Sequence, residues 1–260
     1  MNRIGFIGYG NMAQAIATGL VKANPDIKDD LYACAKHYDK LCANVHKLGI
    51  HPLKDALEVV KTCDWIIIAV KPYIIKDVLS PLVDDLKDKV VISVAAGCGF
   101  GDYEQLLLPG THHLSTIPNT PVAVCQGIFI CEEQHSLSNQ EVETFKSLFS
   151  SIALVEFVPS HLLSIGGTIS GCTPAFTAMY LEALGDAGVK HGLSRDVAYR
   201  LVAKMLVGTG QLYLNNPTHP GIMKDQVCSP GGATIKGVAA LEKAGFRSTL
   251  IEAIDHIEGE

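Results

Sequence analysis

The first thirteen residues, MNRIGFIGYGNMA, constrain the fold more than any other part of the chain. The apolar run Arg3–Ile7 predicts a strand that leads directly into a G-x-G-x-x-A turn. In such a turn Gly8 permits the sharp bend, Gly10 lets the backbone approach a phosphate, and Ala13 allows a helix to pack closely on the strand. The helix predicted over Met12–Ala23 would direct unpaired N–H groups at a pyrophosphate. The segment therefore predicts a dinucleotide-binding turn.

Short apolar runs alternate with helical patterns as far as about residue 158. Ile74–Leu86 is one of the amphipathic stretches between strands. Further strands are predicted at Leu31–Ala35, Trp65–Val70, Val90–Val94 and 114–117, with a last strand–helix–strand passage from Gly127 through Asn139–Phe149 to Leu154–Phe157. This order indicates a parallel sheet with right-handed crossovers. We therefore expect a Rossmann-type, doubly wound α/β domain over residues 1–158.

The pattern changes after Pro159. Helical periodicity covers Ala175–Gly185, Ser194–Leu214 and Gly232–Ala244, and strand-like alternation stops. The apolar faces of these helices are extensive, which favours burial against another subunit. The second domain, residues 159–260, is therefore expected to be an all-α dimerisation domain.

Composition limits the classes of partner. The net charge of −6 argues against a broad nucleic-acid surface. The longest apolar runs, WIIIAV and VVISVAAG, are too short to cross a membrane, and the first residues show no secretory signal pattern. We expect a cytoplasmic protein without nucleic-acid or membrane partners.

The eight cysteines include no C-x-x-C pair, and the ten histidines include no H-E-x-x-H spacing. Several of the cysteines lie inside apolar runs, which is typical of reduced, buried thiols. No metal site is predicted.

The end of the second predicted strand bears on the choice of cofactor. An acidic residue there would hold the ribose 2′-hydroxyl of NAD, but the sequence is Ala35-Lys36-His37. A cation at Lys36 favours the 2′-phosphate of NADP, although Lys36 could also be a solvated surface lysine. NADPH is thus the expected cofactor, with NADH as the alternative.

Six further motifs give the chain a specific resemblance. They are AVKP (69–72), SVAAG (93–97), IPNTP (117–121), SGCTPAF (170–176), HPGIMKD (219–225) and D-x-V-x-SPGGATI (225–235). With these motifs the chain resembles the pyrroline-5-carboxylate reductase family from Gly5 to beyond Phe246. The resemblance implies NAD(P)H-dependent reduction of the cyclic imine 1-pyrroline-5-carboxylate to L-proline, the last step of proline biosynthesis. It also implies dimers that assemble into decamers.

Position in the sheet and the resemblance together identify candidate site residues. The cofactor residues are Gly8, Tyr9, Gly10, Asn11, Met12, Lys36, Ala69, Val70, Lys71, Pro72, Ala96, Gly97 and Asn119. Asn119 could hold the nicotinamide carboxamide or be a plain turn residue. Lys71 is well placed by sequence, but it could equally be structural.

The glycine loop before the predicted helix Gly232–Ala244 is the candidate substrate site. Its residues are Val227, Ser229, Gly231, Gly232, Ala233 and Thr234. Consecutive backbone N–H groups from Gly231 to Thr234 would form an anion-binding nest for the substrate carboxylate. The resemblance places the Thr234 hydroxyl near the imine nitrogen, as the one candidate catalytic group. Alternatively, Thr234 or Ser229 only caps the helix.

The sequence departs from the family at three positions, and two other functions remain open. Ala56 and Gln226 stand where asparagine is common, and Ser160 where an acidic residue is common. One alternative is a β-hydroxyacid dehydrogenase-like enzyme with Lys190 or Lys204 as its acid/base. The other is a dinucleotide-binding regulator without turnover.

Overall fold

The first domain is built around one sheet in which β1 is paired on both sides. A computed structural model of the chain describes residues 2–259; Met1 and Glu260, the predicted outer limits of the two domains, lie outside the described residues. The strands are β1 Ile4–Ile7, β2 Leu31–Cys34, β3 His51–Pro52, β4 Trp65–Ile68, β5 Val90–Ser93, β6 His112–Pro118, β7 Gly127–Glu132 and β8 Ala153–Val158. Their order in the sheet is β3-β2-β1-β4-β5-β6-β7-β8.

Helices cover both faces of this sheet. They are α1 Asn11–Ala23, α2 Tyr38–His46, α3 Ala56–Thr62, α4 Ile75–Leu79, α5 Val83–Leu86, α6 Phe100–Leu106, α7 Asn139–Phe149 and α8 Leu163–Gly171. Alternate residues of β4 belong to different cores: Trp65 and Ile67 to one, Ile66 and Ile68 to the other. This two-sided burial explains the continuous apolar run of the strand and confirms the predicted doubly wound class.

The structure corrects one sequence prediction and adds detail to another. The sheet is not wholly parallel, because β7 runs antiparallel to β6, with Thr116 paired to Cys131, while β8 is parallel to β7. The amphipathic stretch Ile74–Leu86 forms α4 and α5 with a 3-10 turn, Ser80–Leu82, between them. Pro81 lies in that turn and has no backbone N–H to continue a helix.

The rest of the chain is helical, with no strand among the described residues after Val158. Its helices are α9 Thr173–Lys190, α10 Arg195–Asn215, α11 Pro220–Gln226, α12 Ala233–Lys243 and α13 Phe246–Glu258. The chain divides into two compact units, up to Gly171 and from Cys172. Because α8 packs on β6 and β7, it belongs to the first unit. The predicted boundary at residues 158/159 stays a prediction.

Within the described residues, no helix is long and apolar enough to cross a membrane. All eight cysteines are free thiols. Burial raises the pKa of the Cys34 thiol to about 11 and that of the Cys63 thiol to about 12, so both remain protonated near neutral pH.

Candidate functional site

Four parallel strands end at the same level of the sheet. Ile7 of β1 is in register with Cys34 of β2 and with Ile68 of β4, and Ile68 is in register with Ser93 of β5. The segments that follow these strands therefore leave the sheet at one edge, where open α/β sheets bind ligands. All the predicted cofactor residues except Asn119 lie in these segments.

The first turn combines a tightly packed glycine with an open one. Gly8 has a φ of +92°, and a β-carbon there would lie 2.7 Å from the Ala69 carbonyl oxygen. Gly10 is the N-cap of α1, makes no side-chain capping bond, and has nothing within 4 Å of where its β-carbon would be. The surroundings of Gly10 are therefore open, and the first N–H groups of α1 have no partner inside the helix, so this cradle fits the phosphates of a dinucleotide.

The side chain of Tyr9 lies in the core. Its ring packs edge-on against Phe6, with the centroids 6.0 Å apart, and burial raises the pKa of its hydroxyl. The Tyr9 carbonyl accepts a hydrogen bond from Gln14 Nε2 at 3.1 Å. A cofactor contact by Tyr9 would therefore come from its backbone and not from its ring.

The other edge segments offer two lysine cations and several main-chain groups. Lys36 is exposed and forms no ion pair among the described residues. Lys71 is also exposed and precedes the 3-10 turn Pro72–Ile74, with its carbonyl accepting from Ile74 N at 3.0 Å. Ala96 and Gly97 are exposed. These segments can contact a ligand mainly through their backbones.

The side chain of Asn119 makes hydrogen bonds to its neighbours at both of its polar atoms. It is buried, its Nδ2 donates to the Ser170 carbonyl at 2.9 Å, and its Oδ1 accepts from Ile128 N at 2.9 Å. Asn119 therefore ties α8 to the loop between β6 and β7. One amide hydrogen and one Oδ1 lone pair remain for a ligand, so the predicted contact with the nicotinamide carboxamide stays a prediction.

The predicted substrate loop lies in the second unit, between α11 and α12. Gly231 has a φ of +70° and nothing within 4 Å of its would-be β-carbon. Gly232 N donates to the Ser229 carbonyl at 3.0 Å, so this amide is used inside the loop and drops out of the predicted nest. The N–H groups of Gly231, Ala233 and Thr234 remain as candidate anion donors.

Thr234 is free to act on a ligand. It lies in the first turn of α12, where Gly232 is the N-cap and makes no side-chain capping bond. Its side chain is exposed and makes no hydrogen bond within residues 2–259. Ser229 does not cap α12 either. The capping alternative for Thr234 and Ser229 is therefore wrong.

Lys224 is a cation that precedes the loop in sequence and is not among the predicted site residues. Its ammonium lies 2.5 Å from Asp225 Oδ1, and this hydrogen bond raises the pKa of Lys224. The adjacent carboxylate offsets its charge, which leaves main-chain N–H groups as the principal anion donors of the loop.

Relatives of known name match the chain over nearly its whole length. It is 43% identical over 255 residues to a pyrroline-5-carboxylate reductase of Treponema pallidum, with 96% of this chain and 97% of that protein covered. The chain belongs to the pyrroline-5-carboxylate reductase family. The Escherichia coli reductase of that name is 34% identical, with 97% of this chain and 94% of that protein covered.

Two separate parts of the chain also match family models. Residues 160–259 match the pyrroline-5-carboxylate reductase dimerisation model, and residues 3–97 match that of NADP oxidoreductases described as coenzyme F420-dependent. Among solved structures, the NADP-bound pyrroline carboxylate reductase of Plasmodium falciparum superposes with a TM-score of 0.88 at 29% identity, covering 98% of this chain and 95% of that one. The predicted two-part fold is thereby confirmed.

The two glycines of the first turn should respond differently to a methyl group. We expect Gly8→Ala to lower the free energy of unfolding by at least about 1 kcal/mol, because a side chain at positive φ is strained. Gly10→Ala should stay within about 0.5 kcal/mol of the parent, since its φ of −79° suits any residue and its surroundings are open. Denaturant unfolding of the cofactor-free protein measures both. Equal losses in the two variants would contradict this reading of the turn.

Proposed function

We propose that this chain is a pyrroline-5-carboxylate reductase that forms L-proline from 1-pyrroline-5-carboxylate with NAD(P)H. The observation that carries the proposal is a second anion-binding loop, Ser229–Thr234, in a chain that already has a dinucleotide turn. A dinucleotide-dependent sensor needs only the first of these sites. Reduction of an anionic imine needs both.

The predicted roles of the residues at the first site follow from their exposed groups. The open N–H groups after Gly10 would hold the pyrophosphate, and Lys36 would pair with a 2′-phosphate. The backbones of Ala69–Pro72 and Ala96–Gly97 would line the remaining edge. Lys36 and Lys71 carry the exposed charges among these residues, and Lys36 follows β2, where the group at the ribose 2′ position is recognised. We therefore infer a preference for NADPH over NADH.

The second site supplies an anion anchor and one hydroxyl. When bound, the reduced nicotinamide supplies the hydride, which is added to the imine carbon while the imine nitrogen keeps its proton and becomes the amine. The N–H groups of Gly231, Ala233 and Thr234 would fix the ring by its carboxylate. The Thr234 Oγ would accept a hydrogen bond from the protonated imine nitrogen and so orient the ring, or its hydroxyl would donate a proton to an imine that binds unprotonated.

The second unit supports assembly with other copies. In α9 and α10 the only buried residues are Gly185 and Ala198, while Met179, Val207 and Leu212 are 67%, 64% and 68% exposed. Apolar helix faces of this extent need a covering surface. We infer a homodimer through these helices and, from the family resemblance, a decamer assembled from five such dimers. Light scattering would measure the copy number, and a monomer would contradict both states.

We also infer a cytoplasmic location, which the eight free thiols support because thiols stay reduced in that compartment. Labelling the thiols of protein taken from intact cells would test it, since complete oxidation to disulfides would contradict a reducing compartment.

The direct test follows nicotinamide absorbance after 1-pyrroline-5-carboxylate is added to the protein with NADPH or NADH. We expect oxidation of both cofactors, with a higher kcat/KM for NADPH. Turnover of a 3-hydroxy acid with NADP⁺ but not of the imine would favour the dehydrogenase alternative. Cofactor binding without turnover of any imine or ketone would favour a regulator.

Replacing one hydroxyl should separate catalysis from cofactor binding. We expect Thr234→Ala to lower kcat about tenfold or more, because the imine nitrogen loses its hydrogen-bond partner. The Kd for NADPH, measured by nucleotide fluorescence, should stay within about twofold, since the cofactor residues lie in the other unit. Thr234→Ser keeps the hydroxyl and is the matched control. Loss of NADPH binding in Thr234→Ala would contradict this division of roles.

A further inference from the structure

A buried carboxyl group holds the start of α6 from a distant strand. Glu132, the last residue of β7, is only 3% exposed, and its Oε2 accepts a hydrogen bond from Phe100 N at 2.6 Å. Phe100 is the first residue of α6, so its N–H has no partner inside the helix. Glu132 supplies that partner from 32 residues further along the chain.

The rest of α6 is held at other points. The Phe100 ring stacks on His113 with centroids 4.8 Å apart, and Tyr103 donates from its hydroxyl to Ser93 Oγ at 2.7 Å. His113 Nε2 lies 2.7 Å from Glu104 Oε1. These contacts fix side chains of the helix, whereas the Glu132 bond fixes its first backbone amide.

This first amide adjoins the loop with two of the predicted cofactor residues. The loop spans residues 94–99, between Ser93 at the end of β5 and Phe100, and it contains the exposed Ala96 and Gly97. Ser93 is fixed by the sheet, and Val94 N donates to the Ile68 carbonyl at 3.1 Å. At the other end, Gly99 N is bound to Asp102 Oδ2 at 2.9 Å, which fixes the loop only to α6 itself. The hydrogen bond from Phe100 N to Glu132 Oε2 is therefore the contact by which a backbone amide joins the α6 end of the loop to the sheet.

We propose that Glu132 is a positioning residue for the dinucleotide loop, acting through Phe100 on Ala96 and Gly97. The inference rests on the proposed function, because it takes these two residues as cofactor contacts. Loss of the acceptor would leave the Phe100 N–H unpaired and loosen the first turn of α6. Ordering the loop amides on dinucleotide binding would then cost more conformational entropy, and the binding would be weaker. We therefore expect a lower affinity for the dinucleotide and no change at the substrate loop around Thr234.

The experiment compares Glu132→Leu, which removes the acceptor, with Glu132→Gln, which keeps an amide oxygen in its place. We expect Glu132→Leu to raise the Kd for NADPH about tenfold, the range expected when one buried N–H group loses its partner. The KM for NADPH should rise in parallel, with kcat within about threefold at saturation. Glu132→Gln should restore affinity to within about threefold of the parent, because a carboxamide oxygen also accepts from N–H.

A second readout needs no turnover. Hydrogen exchange at the Phe100 amide in the cofactor-free protein should speed up at least about tenfold in Glu132→Leu and little in Glu132→Gln. The matched control is the neighbouring Glu133, which is exposed and bonds only through its backbone N–H to Val158. Glu133→Leu and Glu133→Gln should leave both readouts unchanged. If Glu132→Leu does not fold, Glu132→Asp tests the same bond, because the shorter side chain withdraws the carboxylate from Phe100 N.

Unchanged NADPH affinity in Glu132→Leu or Glu132→Asp would overturn the proposal. So would an equal loss in Glu132→Gln, which would assign the effect to charge, or an equal loss in Glu133→Leu. Because the titrations do not depend on turnover, a parent protein that binds NADPH without reducing the imine would refute the proposed function alone. A parent that binds no dinucleotide would refute both.

Discussion

The in-register pairing of β1 with β2 and β4 is the constraint on which the first site depends. It brings the segments after three strands to one edge at the same height, although they are far apart in sequence. Gly8 can then turn against Ala69 without a β-carbon between them. A shift of one residue in β1 would exchange Phe6 and Ile7 between the two cores and displace the glycine turn from its neighbours.

Features encoded in short stretches were predictable from the sequence. The glycine turn, the alternation of buried strands with helices and the change to helices after residue 158 all depend on neighbouring residues. Features set by distant contacts were not. The reversal of β7 depends on pairing with β6, and the side chain of Asn119 is bound by Ile128 and by Ser170, 51 residues away.

The same distinction explains which site residues were missed. Glu132 sits in GIFICEEQ, where nothing in the sequence separates it from the exposed Glu133 beside it. Only the approach of β7 to the start of α6 gives it a partner. Conversely, Tyr9 stands in the most informative motif of the chain, yet its ring belongs to the core because Phe6 and Tyr9 pack together.

Both candidate sites are formed largely by the backbone, and this bears on two of the three departures from the family pattern, Ala56 and Gln226. An N–H group at a glycine turn or a helix start is present whatever the neighbouring side chains are, provided that the turn is kept. Ala56 begins α3 behind the cap formed by Asp55, whose carboxylate accepts from Glu58 N. Gln226 ends α11 without occupying the amides of Gly231, Ala233 and Thr234. Substitution at these positions can therefore remove a side-chain contact to ribose or substrate while leaving the proposed phosphate and carboxylate anchors intact. We infer that binding at both sites withstands these departures because its main donors are peptide groups.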